Sequence, residues 1–153
     1  MLIKSLNKIH QIDKSLELQK VYVQFEKILN ELHFKWLPHR LIIAINEDID
    51  ALNSFSGSEV EWKKKLKKAQ SKIVKLLEKE IKFVPINYYR NHWLAMGIAV
   101  FGIPLGFAFA TYLENIAFLA TGLPIGAAIG LQLGSKLDKR AYNEGRQINV
   151  NIK

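Results

Sequence analysis

Residues 122–134 read GLPIGAAIGLQLG, and this stretch decides the architecture that the sequence predicts. Its four glycines are spaced by four, so on an α-helix they lie along one face. A related pattern comes earlier, because residues 102–106 read GIPLG and residues 122–126 read GLPIG, with twenty positions between the two starts. Gly and Pro normally weaken the interior of a soluble helix. Their repetition inside apolar sequence therefore indicates an environment other than the interior of a water-soluble protein.

Charge is distributed unevenly along the 153 residues. Residues 93–134 contain one charged side chain, Glu114, whereas residues 1–92 carry 17 basic and 11 acidic residues and residues 135–153 carry 5 and 2. The uncharged runs 93–113 and 116–134 are each long enough to cross a hydrocarbon core of about 30 Å. Their short connection predicts a two-span transmembrane helical hairpin, and the basic flanks predict that both termini are cytoplasmic.

Aromatic and basic residues mark the ends of the predicted spans, where amphipathic side chains favour the membrane interface. The predicted interfacial anchors are Tyr88, Tyr89, Arg90, Trp93 and Tyr112. Basic residues that follow the second span are expected to meet lipid headgroups: Lys136, Lys139 and Arg140. This arrangement predicts a membrane protein whose main partner is the lipid bilayer.

Small residues explain the glycine repeat, because helices in lipid associate through close backbone approach rather than through the hydrophobic effect. The predicted helix-packing residues are Gly97, Gly102, Gly106, Ala110, Gly122, Gly126, Gly130 and Gly134. Each proline removes a helix hydrogen bond, which predicts kinks at Pro104 and Pro124. Two arrangements stay open: the two helices pack on each other within one chain, or several chains form a homo-oligomer. The second is favoured because the long stripe would leave glycine surface uncovered in a single hairpin.

The first part of the chain predicts three amphipathic helices in a small bundle or coiled coil. Apolar residues recur at helical spacing over 15–36, 40–53 and from 59 to about 83. Ser58 and Glu61 fit a capping box at the start of the third helix, and Pro85 follows its end. After the second span, helix is expected to continue to about Glu144 and to be stopped by Gly145. The last residues alternate apolar and polar, so they form a short strand or a free tail.

The third predicted helix carries nine lysines in the 20 residues after Trp62. Three interpretations are open: a solvated face, docking on anionic lipid headgroups, or binding to nucleic acid. The headgroup interpretation involves Lys63, Lys64, Lys67 and Lys68. Nucleic acid is not expected as a partner, because no aromatic and basic groove or known module is visible.

Signatures of catalysis are missing from the sequence. There is no cysteine, and the four histidines (His10, His33, His39 and His92) lack the carboxylate partners of a metal site. Nucleophile elbows, phosphate loops and zinc-protease motifs are also missing. We therefore expect a chain that is not an enzyme and that binds neither a cofactor nor a metal.

The block YYRNHWLAMGIAVFGIPLG, followed by GLPIGAAIGLQLGSKLDKRAYNEGRQI, resembles a family of small bacterial membrane proteins with a glycine-zipper two-helix hairpin. The resemblance covers about residues 85–148. It implies the hairpin topology and a bacterial source, and hence a location in the bacterial inner (plasma) membrane.

Together these patterns predict an all-α membrane protein: cytosolic amphipathic helices over 1–87, a transmembrane hairpin over 88–135 and a cytosolic tail over 136–153. The first functional hypothesis is a non-enzymatic protein that self-associates through its glycine faces. In its sharper form this is a pore-forming or membrane-perturbing effector whose cytosolic domain senses or binds a protein partner. The alternative is a scaffold or accessory subunit that anchors a larger membrane complex.

Overall fold

A computed structural model describes residues 2–8 and 15–152, and the chain is 75% helical. The chain forms two compact units, one of residues Met1–Val84 with Ile148–Ile152 and the other of residues Pro85–Gln147. These units have other bounds than the predicted domains, and the largest difference is in the C-terminal residues. The predicted separate tail 136–153 does not form a unit, because its first half continues a helix and its last residues cluster with the first unit.

The first unit is built on three helices, α1 Leu16–His33, α2 His39–Asn53 and α3 Glu59–Ile81. The predicted apolar faces are buried along each helix, with Phe25, Ile45 and Leu66 fully enclosed. Helix α3 contacts both α1 and α2. The three amphipathic helices therefore meet around one apolar core, as their 3-4 spacing predicts.

Local capping fixes the start of α3. The backbone N–H of Ser58 donates to the Glu61 carboxylate at 2.8 Å, and the two residues complete the predicted capping box. These hydrogen bonds from Ser58 lower the pKa of Glu61 below its ordinary value. The helix ends at Lys82, which adopts the left-handed region with φ of 60° and donates its N–H to the Glu78 carbonyl.

Two short strands correct the prediction of an all-α fold. β1 Val84–Ile86 and β2 Gln147–Asn151 pair in a two-stranded sheet. Of the two alternatives for the C-terminal residues, the strand is the one observed, with Ile148 and Val150 buried at alternate positions. β1 was not predicted. It follows because Pro85 cannot continue a helix and its β-branched neighbours favour extended backbone.

The second unit contains two helical stretches that are long and apolar enough to cross a membrane, Tyr88–Tyr112 and Ile116–Asn143. The first consists of α4 Tyr88–Gly97, a π-helical turn Ile98–Gly102 and α5 Ile103–Tyr112. The second consists of a 3-10 turn Ile116–Phe118 and α6 Leu119–Asn143. Both extend beyond the predicted spans 93–113 and 116–134, because polar residues beside each span are also helical.

The end of α6 is set by a glycine, as predicted. Gly145 adopts a positive φ of 67°, and the N–H of Arg146 donates to the carbonyl of Ala141 at 2.9 Å. Glycine reaches this left-handed conformation without steric penalty, so the helix stops here while β2 begins two residues later.

Candidate functional site, the glycine interface

Seven glycines of the second unit face each other across two antiparallel helical stretches. All seven are buried: Gly97, Gly102, Gly106, Gly122, Gly126, Gly130 and Gly134. Ala110 is half-buried. We call these seven glycines the glycine interface. The structure thus brings together the small residues that the sequence assigned to helix packing, and it does so within one chain.

Backbone atoms meet directly at the centre of the glycine interface. A Cβ placed on Gly126 would lie 2.5 Å from the Cα of Gly102, and one placed on Gly122 would lie 2.6 Å from the Cα of Gly106. Distances this short do not occur for real Cβ atoms. Only residues without a side chain allow this separation, and it gives the backbones dispersion contacts and room for Cα–H···O bonds.

The contact continues to the other end of the second unit. A Cβ on Gly97 would lie 2.7 Å from the Cα of Gly130, one on Gly130 would lie 2.9 Å from the carbonyl carbon of Trp93, and one on Gly134 would lie 2.5 Å from the Cα of Arg90. The expectation that a single hairpin would leave glycine surface uncovered is therefore not met. One chain uses the whole stripe.

Large apolar side chains occupy the opposite faces of the same helices. They are exposed at Met96, Val100, Phe101, Ile103, Phe107, Phe109, Leu113, Ile116, Phe118, Leu123, Ile125 and Leu133. In each 18-residue apolar window only 17% is buried. Small residues thus face inward and large apolar residues face outward, the reverse of a helix in a water-soluble core.

Asp138 is a contributor that the sequence reasoning missed. It is 8% exposed, and its carboxylate accepts the backbone N–H groups of Tyr89 at 3.1 Å and Arg90 at 2.9 Å. These N–H groups belong to the first turn of α4, where helix donors have no intrahelical acceptor. Asn87, the residue before α4, makes no side-chain cap among the residues described. Asp138 therefore caps α4 from a different helix.

A signal for Asp138 was present in the sequence. Positions 122, 126, 130, 134 and 138 continue one spacing of four, so Asp138 lies on the same helix face as the glycines. Since that face packs on the other helix, a carboxylate at its end reaches the opposite backbone. The sequence analysis treated Asp138 as part of a charged tail and therefore assigned it no partner.

The two prolines are accommodated differently. The π-helical turn ends at Gly102, two residues before Pro104, and the N–H of Ile103, the residue after the turn, donates to the carbonyl of Ile98, five residues earlier. Such turns absorb an interrupted helix ladder. Pro124 lies inside α6, which is continuous from Leu119 to Asn143. A kink at each proline stays a prediction, whereas the π-helical turn is a local change that the sequence did not predict.

The predicted interfacial residues lie at two ends of the second unit. Tyr88, Tyr89 and Trp93 are half-buried and Arg90 is exposed, while Tyr112 at the far end is 86% exposed. The rings of Tyr88 and Tyr89 pack edge to face at 5.3 Å. Lys136, Lys139 and Arg140 are exposed near the end of α6. Since Gly134 contacts Arg90, the basic residues of both helices lie at the same end of this unit.

The lysines of α3 belong to the first unit. Lys64, Lys67 and Lys68 are exposed, whereas Lys63 is half-buried and paired with Glu17. Farther along α3 a shallow groove is lined by Lys68, Ser71, Lys72, Lys75, Leu76 and Lys79. Lys72 pairs with Asp48 at 2.6 Å. Two of the lysines are therefore paired with carboxylates, and the three interpretations of this face stay open.

The three histidines that the structure describes are not grouped at one site. His33, His39 and His92 are exposed, and His10 lies outside the described residues. Within the part of the chain that the structure describes, no three or more His, Asp or Glu side chains are grouped as a metal site would need.

Comparison of the chain with protein-family models, with curated proteins and with solved structures gives no match.

Proposed function

We propose that this chain is a non-enzymatic membrane anchor in which two helices cross the bilayer as a hairpin and carry the helical first unit as a binding module. The observation that supports this most strongly is the division of the two apolar helices into an inner glycine face and an outer face of large apolar side chains. Lipid covers the outer face, and the glycine interface holds the hairpin together.

Burial favours this proposal over a water-soluble core. A core helix buries large side chains on its packed face. Here the packed face is glycine, while Phe101 at 40% and Phe107 at 59% exposure face outward. Such a continuous apolar surface is expensive in water and stabilising in hydrocarbon.

Charge supports an orientation with both termini in the cytoplasm. Arg90, Lys136, Lys139 and Arg140 lie at the open end of the hairpin, and Glu114 is the charged residue at its tip. Basic residues near membrane spans are retained on the cytoplasmic side. The resemblance to small bacterial membrane proteins supports a location in a bacterial inner membrane.

The topology can be measured with single cysteines, because the native chain has none. We expect a membrane-impermeant maleimide to label Glu114→Cys in intact cells, since the tip faces outward. Ser56→Cys, at an exposed loop position of the first unit, should react only after permeabilisation. Labelling of Ser56→Cys in intact cells would reverse the orientation. Recovery of the chain in the soluble fraction would overturn the anchor.

A second candidate is self-association into a membrane-perturbing assembly, and Gln132 favours it. Its side chain is exposed on α6, forms no hydrogen bond to another described residue, and lines a shallow groove with Leu131 and Ser135. An amide facing lipid gains about 1 kcal/mol by bonding to a neighbouring helix. A homo-oligomer would then form through this face, because the glycines are occupied.

Dye release from liposomes tests this candidate. We expect an assembly to release dye, and Gln132→Leu to reduce both release and the oligomer fraction seen by chemical cross-linking. Asn143→Leu, which removes an exposed amide at the end of α6 and lies outside this groove, is the matched control. Liposomes that hold the purified chain and retain their dye would leave the anchor as the function and remove the membrane-perturbing candidate.

A further inference from the structure

The loop between α1 and α2 exposes two large aromatic side chains. It reads Phe34-Lys35-Trp36-Leu37-Pro38, and Phe34 is 89% exposed while Trp36 is 88% exposed. Leu37, beside them, is 7% exposed. A buried leucine next to two exposed aromatic residues shows that the loop is packed against the first unit and still directs both rings away from it.

The loop is held in a defined conformation. The N–H of Lys35 donates to the carbonyl of Leu32 at 3.1 Å, and Pro38 fixes the backbone at the start of α2. The Lys35 ammonium lies 5.7 Å from the centre of the Phe83 ring, within the range of a cation–π interaction. Because these contacts order the loop in advance, binding through Phe34 and Trp36 would lose little conformational entropy.

Chain connectivity indicates what covers these rings. Phe83, which contacts Lys35, precedes Tyr88 by five residues, and Tyr88 begins the first membrane-length helix. Five residues reach at most about 18 Å. If that helix enters a bilayer, the loop is therefore tethered close to the membrane surface.

The chemistry of the loop matches that surface. Tryptophan favours the interface between water and hydrocarbon, where its ring is apolar and its N–H meets water or headgroups. Lys35 lies between the two aromatic residues in the sequence and Arg40 follows the loop by two residues, so both add positive charge that complements anionic phospholipid headgroups. An acidic protein partner would complement the positive charges of Lys35 and Arg40. It would not explain why the loop is connected so closely to the start of a membrane-length helix.

We infer that the loop over residues 34–38 is a second membrane contact, in which Phe34 and Trp36 enter the headgroup region of an anionic bilayer beside the first span. This inference rests on the proposed two-span anchor. It adds a third attachment point, in the first unit, and it assigns a ligand to a loop to which the sequence analysis gave no role.

The three tryptophans allow the loop and the spans to be measured separately. The full chain is reconstituted in vesicles of phosphatidylcholine and phosphatidylglycerol, with part of the phosphatidylcholine brominated on its acyl chains. Three single-tryptophan variants keep Trp36, Trp62 or Trp93, with the other two changed to Phe. Trp93 reports the first span, and Trp62, which is 8% exposed inside the first unit, is the control. Circular dichroism confirms that each variant is folded.

We expect brominated lipid to remove most of the Trp36 and Trp93 emission and little of the Trp62 emission. Acrylamide in the water should quench Trp36 weakly, and the added substitution Phe34→Ser should increase that quenching. If brominated lipid quenches Trp93 but not Trp36, and acrylamide quenches Trp36 strongly, the inference is wrong and the anchor stands. Unquenched Trp93 would refute the two-span anchor and, with it, this inference.

Discussion

Replacing Gly126 by Leu is expected to separate the two apolar helices. A Cβ at this position would lie 2.5 Å from the Cα of Gly102. The remaining side-chain atoms of Leu would therefore overlap the backbone of the facing helix. Overpacking costs about 3 kcal/mol or more when backbone must move. The higher helix propensity of Leu returns about 1 kcal/mol. The clash is the larger effect, so the hairpin should open at its centre.

The separation can be followed by distance measurement between spin labels. Asn91→Cys and Ser135→Cys place one label on each helix at exposed positions near the contact of Arg90 with Gly134. We expect a narrow, short distance distribution in the parent chain and a longer, broader one in Gly126→Leu. Ala128→Leu adds a larger side chain to an exposed position on the same helix and is the matched control. Its distribution should equal that of the parent.

This measurement also distinguishes the two uses of the glycines. If they mediate contact between chains, Gly126→Leu will abolish an oligomer while the intramolecular distance stays short. If they form the interface within one chain, the intramolecular distance will increase. An unchanged distance in Gly126→Leu would therefore contradict the glycine interface described above.

Replacing Asp138 by Ala is expected to loosen the start of α4. The change removes the acceptor of two partly buried backbone N–H groups, those of Tyr89 and Arg90. Leaving a buried donor unsatisfied costs about 1–3 kcal/mol. It also removes a negative charge from the positive end of the α4 dipole, an effect of about 0.3–1 kcal/mol. The first turn of α4 should fray while the glycine interface keeps the rest of the helix in place.

Amide hydrogen exchange at Tyr89 and Arg90 measures this effect directly. We expect both amides to exchange at least ten times faster in Asp138→Ala than in the parent, a factor that corresponds to about 1.4 kcal/mol of lost protection. Asp138→Asn keeps one oxygen acceptor, so its amides should exchange at intermediate rates. Lys139→Ala, an exposed neighbour, is the control. Exchange rates in Asp138→Ala that match Lys139→Ala would show that the carboxylate does not cap α4.

Much of the helical structure could be predicted because its signals are local. The 3-4 spacing in the first 83 residues predicts three amphipathic helices, and the buried positions of Phe25, Ile45 and Leu66 follow from it. Ser58 with Glu61 and the later Gly145 mark helix ends through contacts within a few residues. The apolar runs likewise predict two membrane-length helices from composition alone.

The candidate site was predicted in part. The spacing of four placed Gly122, Gly126, Gly130 and Gly134 on one face, but spacing along a single helix does not specify what that face contacts. The choice between a neighbouring helix of the same chain and another copy depends on backbone positions far apart in sequence. For the same reason Asp138 had no assigned role, although it continued the pattern.

The sequence by itself determined which residues are helical, which faces carry glycine and where charge is excluded, because these properties depend on near neighbours and on side-chain chemistry. Only the tertiary structure decided that Gly126 meets Gly102, that Asp138 caps α4 and that Phe34 and Trp36 remain exposed beside a buried Leu37. Each of these is a contact, or a lack of cover, set by residues distant along the chain. The free energy of each contact depends on which surfaces the fold brings together, and the spacing of residues along one helix does not specify those surfaces.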